Sequence, residues 1–124
     1  MAFCSSIHCM DGRVQKPIIA YLKTTYHKEY VDTITEPGPN RILSEGGEQD
    51  LTDSIFRRLD ISVRHHKSDL VAISGHFDCA GNPASREVQV EQIQRASDLI
   101  KKTYPHIKVV KLWVNSEWKV EEIP

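Results

Sequence analysis

Two short segments concentrate the residues able to do chemistry. Cys9-Met10-Asp11-Gly12-Arg13 sets a thiol, a carboxylate and a guanidinium at alternate positions, and Gly75-His76-Phe77-Asp78-Cys79 adds an imidazole and a second thiol. Two cysteines and one histidine form a recognised donor set for a catalytic zinc that keeps one coordination position open. Soft thiolates favour zinc over magnesium or calcium, which prefer shells of oxygen. Two thiolates also cancel the charge of Zn²⁺, so a bound hydroxide, or Asp11 itself, makes the unit anionic. Arg13, two residues beyond Asp11, is placed to hold that carboxylate as a bidentate partner. H-x-x-C alone is a common chance spacing; joined to C-x-D-x-R, each at the end of an expected strand, it is much more specific. Cysteine-phosphatase chemistry is excluded, because it needs a longer interval than the one between Cys9 and Arg13. A C-x-x-C redox pair is absent from the sequence as well.

The elements that must position these segments are read from periodicity. Ala2 to His8 is a short mixed stretch that reads as a strand ending at Cys9. Lys16 to Tyr30 carries Ile18, Ile19, Leu22 and Tyr26 on one helical face, with Pro17 suited to a first turn. Tyr30 to Thr35 alternates and is β-branched, as in a strand, and Glu36-Pro37-Gly38-Pro39-Asn40 reads as the turn or loop that stops it. Leu51, Ile55 and Leu59, with Phe56 and Val63, make a second helical stripe. Leu70 to Ser74 is a continuous apolar run, the pattern of a strand buried on both faces, and Gly75 to Pro83 reads as a loop. Val88 or Val90 to Ile100 supplies a third helix, with Lys101 and Lys102 complementing its dipole. Val109 to Val114 is a further strand and Trp118 to Ile123 a short last one. This alternation predicts an α/β domain with a mainly parallel sheet. In such sheets sites lie beyond the carboxyl ends of strands, where strand order reverses. If the first and third strands are neighbours, the two chemical segments meet there.

A chain of 124 residues, 40% hydrophobic and 27% charged with formal net charge −1, suits one soluble domain with a core that needs no disulfide staples. The near-neutral balance offers no field for nucleic acid and no polybasic stripe for anionic lipid. No apolar run approaches the ~20 residues of a membrane span. The first residues lack the pattern of a secretory signal, so the expected compartment is the cytoplasm, where three cysteines read as thiols or metal ligands.

Cys9-x-Asp11-x-Arg13 resembles the C-x-D-x-R motif of β-class carbonic anhydrases, and Gly75-His76-x-x-Cys79 resembles their G-H-x-x-C motif. The likeness is close to collinear from Phe3 to Ile123, and includes the Val31 to Ile34 strand and a terminal pair of strands. It implies zinc held by Cys9, His76 and Cys79. It further implies a dyad of Asp11 and Arg13 that orients a zinc-bound hydroxide for attack on CO₂, giving bicarbonate. In some relatives the aspartate is itself the fourth ligand and closes the site, so Asp11 has two readings; the alternative functions are a non-catalytic or repurposed zinc-binding relative with Asp11 closing the site, or hydrolysis of COS or CS₂. The resemblance also implies a homodimer or a larger homo-oligomer, without nucleic-acid or membrane partners. Two segments depart from the family pattern, Glu36 to Asn40 and Ala80-Gly81-Asn82-Pro83 after Cys79.

The expected architecture is one Rossmann-like three-layer α/β domain over 1–124, with four or five strands in an order of the 2-1-3-4 type and helices on both faces. The remaining polar and aromatic residues carry plainer expectations. Cys4 reads as a small core residue, His8 as a strand-end surface residue, His65 and His66 as exposed, and Asp78 as a polar loop residue. Trp113 and Trp118 read as packing a sheet face or a subunit contact.

Overall fold

The computed structural model describes residues 2–124. Elements follow in the order β1 (Phe3–Cys9), α1 (Gly12–Thr25), β2 (Tyr30–Glu36), α2 (Pro39–Glu45), α3 (Gln49–Arg64), β3 (Leu70–His76), α4 (Arg86–Thr103), β4 (Lys108–Val114) and β5 (Val120–Ile123). The five strands form one sheet in the order β2-β1-β3-β4-β5. Pairing is parallel between β1 and β2, β1 and β3, and β3 and β4, and antiparallel only between β4 and β5. The expected order and the expected α/β class are those observed.

Side-chain alternation divides the sheet into two faces. Ile7, Ile34, Val71, Ile73 and Trp113 point to a core shared with Ile42, Ile55, Leu59, Ile93 and Ile100 of α2, α3 and α4. Cys4, Leu70, Ala72, Val110, Leu112 and Val114 point the other way, onto Val14, Ile18 and Leu22 of α1. All seven residues of β3 are buried, which explains its unbroken apolar run. Burying side chains of this size is worth ~1.5–3 kcal/mol each.

Element boundaries correct several expectations. The helix expected from Lys16 begins at Gly12, because the Asp11 side chain accepts from the Arg13 amide at 2.9 Å and caps it. Pro17 therefore lies inside α1 and not in its first turn. The segment read as a stop after β2 does turn, but at Pro39 it starts α2: Gly38 takes a left-handed conformation (φ 65°) and Pro39 presets the first helical φ. Gly75 and His76, read as loop, complete β3 in register with Trp113 and Val114. The third expected helix begins at Arg86, where Ser85 accepts from the Val88 amide. Among the described residues no helix is long and apolar enough to cross a membrane.

Candidate metal centre

β1 and β3 are neighbours whose helices leave to opposite faces, so the strand order reverses between their carboxyl ends. Cys9 ends β1, His76 ends β3, and Cys79 follows three residues later. Their ligating atoms all lie within 4.8 Å of one another, and all three residues are buried. The sulfurs of Cys9 and Cys79 are 3.8 Å apart. Two sulfurs each ~2.3 Å from one tetrahedral zinc would be separated by about that distance.

His76 supplies an independent test of fit. Its Nδ1 lies 2.7 Å from the Phe77 carbonyl, an acceptor only, so Nδ1 carries the proton and Nε2 a free lone pair. Nε2 is buried with no hydrogen-bond partner among the described residues. A backbone carbonyl holding Nδ1 while Nε2 stays bare is the arrangement found behind metal-ligating histidines. The donor set therefore fits zinc.

The thiols respond to each other. Hydrogen bonds from Cys79 and from backbone amides hold the Cys9 thiol well below the usual thiol range, against its partial burial, whereas the Cys9 thiolate and burial push Cys79 far up. The pair keeps one proton until a cation replaces it. Cys4, by contrast, is fully buried away from this group and pushed up to about 11 by desolvation. It is the core residue expected.

Asp11 and Arg13 meet as the spacing required. Arg13 Nε donates to Oδ1 at 3.0 Å and Nη2 to Oδ2 at 2.7 Å, and the Arg13 amide also reaches Oδ1. These bonds hold the Asp11 carboxyl down at about 2. Oδ2 stands 4.0 Å from His76 Nε2. Arg13 has two further supports. Asp78, in a left-handed conformation (φ 58°), faces Nη1 at 3.3 Å and offers its carbonyl to Nη2 at 3.2 Å. The Trp118 ring, in the β4–β5 turn, lies 4.2 Å beneath the guanidinium carbon. Asp78 is thus more than a polar loop residue. Trp118 packs partly on the α1 face of the sheet, as expected, and also serves the site.

His8 corrects another expectation. It is fully buried, with burial lowering its pKa, and its ring is bonded to Ser6 and Gln15. His66 is exposed, paired with Asp32 at 2.6 Å and stacked on Phe3, at the far end of the sheet.

Sequence reasoning missed a layer of buried amides behind the second loop. Gln89 of α4 donates to the His76 carbonyl at 3.0 Å and accepts from the His76 amide at 3.3 Å. Gln92 accepts from Asn82 at 2.7 Å and from Asn40 of α2 at 3.4 Å. A β-carbon on Gly75 would lie 2.5 Å from Gln89 Oε1, so glycine there lets the amide approach. A signal existed: Gln89 and Gln92 share the helical stripe of Ile93 and Ala96. The two segments that depart from the family pattern touch here. A β-carbon on Gly81 would meet the Pro37 backbone at 2.7 Å, and Gly38 abuts Asn82.

A family model described as putative carbonic anhydrase matches residues 1–124, the whole chain. The chain belongs to the carbonic anhydrase family. No curated protein sequence matches it. Among solved structures, a carbonic anhydrase from Streptococcus mutans superposes with a TM-score of 0.67 at 16% identity, over 97% of this chain and 81% of that one. One from Glaciozyma antarctica gives 0.61 at 18% identity, with the same shares covered. One of two tetrameric β-carbonic anhydrases from Sordaria macrospora gives 0.64 at 11% identity, over 97% and 79%. The fold is that of the β-carbonic anhydrases, and the Cys-His-Cys group of this family member could hold a metal.

Proposed function

We propose that this chain, as one domain over 1–124, reversibly hydrates CO₂ to bicarbonate with zinc held by Cys9, His76 and Cys79. The observation that carries this is the bare, buried Nε2 of His76 aimed at two convergent sulfurs in a carbonic anhydrase family member. Zinc in such a site supplies an acidified water, a nucleophile near neutral pH. Asp11 is kept ionised by Arg13, and Oδ2 retains a lone pair toward the donor set to accept a hydrogen bond from the hydroxyl, which keeps its proton, and so fix the attacking oxygen. Arg13 occupies both carboxylate oxygens, which favours Asp11 as dyad member over Asp11 as fourth ligand. The oxygen joins the carbon of CO₂, and the water's other proton passes to buffer. We place the protein in the cytoplasm, acting on a small molecule as a homodimer or larger homo-oligomer.

The test is the CO₂ hydration rate from pH 6.5 to 9 on zinc-verified protein. Two thiolates make the acidified water less acidic than neutral histidines would, so activity rises on the alkaline side of neutrality. Asp11→Asn should lose at least ~10²-fold in turnover, the scale of a positioned proton acceptor, with zinc retained. Zinc lost in that variant would instead make Asp11 a ligand. No hydration with zinc bound would defeat the reading and turn the assay to COS and CS₂.

A further inference from the structure

We propose that Gln15, oriented by the buried His8, is a positioning residue that clamps the Cys9–Asp11 loop so that thiol and carboxylate keep a fixed relation. The proposal rests on the roles given above to Cys9 and Asp11. Gln15 lies in the first turn of α1, and its side chain folds back toward the helix start. Its Nε2 donates to the Cys9 carbonyl at 2.9 Å and to the Asp11 carbonyl at 2.8 Å. One amide thus grips the carbonyls of both residues that flank Met10, the only residue between a metal donor and the dyad.

The amide's orientation follows from hydrogen-bond sign alone. Both carbonyls only accept, so the NH₂ must face them and Oε1 must face His8. Oε1 lies 2.7 Å from His8 Nε2, which therefore carries a proton. Uncharged His8 then has a bare Nδ1, which accepts the Ser6 hydroxyl at 2.7 Å. The chain Ser6–His8–Gln15 leaves no member free to flip. It begins inside the sheet and ends on the loop, so the stiffness of β1 is carried past the strand's last residue. This gives a task to a fully buried histidine that neither the core nor the chemistry otherwise uses.

The metal-free protein reads the clamp directly through amide hydrogen exchange. The Met10 amide donates to the Glu36 carbonyl at 3.1 Å and the Arg13 amide to Asp11, so both are protected only while the loop holds. In Gln15→Leu these two amides should exchange at least tenfold faster while those of β3 keep their rates. Gln15→Glu should behave alike, since a carboxylate cannot donate to the carbonyls. His8→Gln can still donate to Oε1 and should restore near-native exchange, whereas His8→Phe should not. Titration with Co²⁺, followed by its visible absorption, should show 10–100-fold weaker binding in Gln15→Leu, the usual loss when a residue supporting metal ligands is removed. Unchanged Met10 and Arg13 exchange in Gln15→Leu would overturn the proposal, as would equal acceleration throughout β3. If the native protein takes up no Co²⁺, the zinc reading fails and exchange alone decides the clamp.

Discussion

Bringing two sulfurs within 3.8 Å without a cation leaves room for one negative charge. Cys9 takes it, held well below the usual thiol range by donors from Cys79 and the backbone, and Cys79 keeps its proton. In metal-free protein, iodoacetamide should therefore modify Cys9 at a rate nearly flat from pH 6 to 9. An ordinary thiol near ~8.5 gains about tenfold per unit below its pKa. Cys4 should react only on unfolding, and added zinc should protect Cys9 and Cys79 together. Peptide mass spectrometry settles all three, and a Cys9 rate that climbs with pH contradicts the account. At this scale the sequence was a good guide. C-x-D-x-R and H-x-x-C named five residues that meet in space, because short spacings at strand ends survive any reasonable placement of the strands. His8 was misread for the opposite reason, since a polar residue at a strand's end looks solvated until Gln15, in the helix that follows, supplies its partner.

Among the elements, strand order was legible because β3 opens on an apolar run over 70–73, as a strand buried on both faces does, and the alternation of strands and helices permits few topologies. α2 was not, since a Pro-Gly-Pro run reads as a break, and only the left-handed Gly38 turns the second proline into a helix start. That helix matters: Asn40 at its beginning joins Gln89 and Gln92 behind the second ligand loop. Gly75→Ala would drive a methyl group into Gln89 and strand buried amide groups, at a cost of ~1–3 kcal/mol. Chemical denaturation should show that loss, with Co²⁺ uptake weakened in the same variant. Gly81→Ala would push on the backbone of Pro37, and overpacking of this kind costs ~1–3 kcal/mol. A native midpoint in both variants would mean that the two loops yield freely. Tyr104, just past α4, donates to Asp60 of α3 at 3.0 Å, and burial followed by this bond pushes its phenol up to about 12. A raised folded pKa contributes stability below the unfolded value near 10 and loses it as pH rises toward 12. Tyr104→Phe should therefore flatten the fall in melting temperature between pH 9 and 12.

For the molecule as a whole, the core beneath α2, α3 and α4 contains none of the three donors, while the core beneath α1 includes both cysteines. Chelation should therefore leave far-ultraviolet circular dichroism unchanged and lower the melting temperature. With zinc at a thousand times its dissociation constant, mass action is worth ~4 kcal/mol, or roughly 10 °C or more at this size. Collapse of the helical signal on chelation would show that the metal, and not the sheet, organises the fold. The turn between β4 and β5 carries a different consequence. Trp113 is buried on the opposite face of the sheet, so in a Trp113→Phe background all indole light comes from the ring beneath Arg13. Any event that shifts that guanidinium, whether anion entry, loss of Asp11 or metal uptake, changes the colour or brightness of the emission. The protein thus carries its own optical gauge of the Asp11–Arg13 pair, readable in a cuvette without label or substrate.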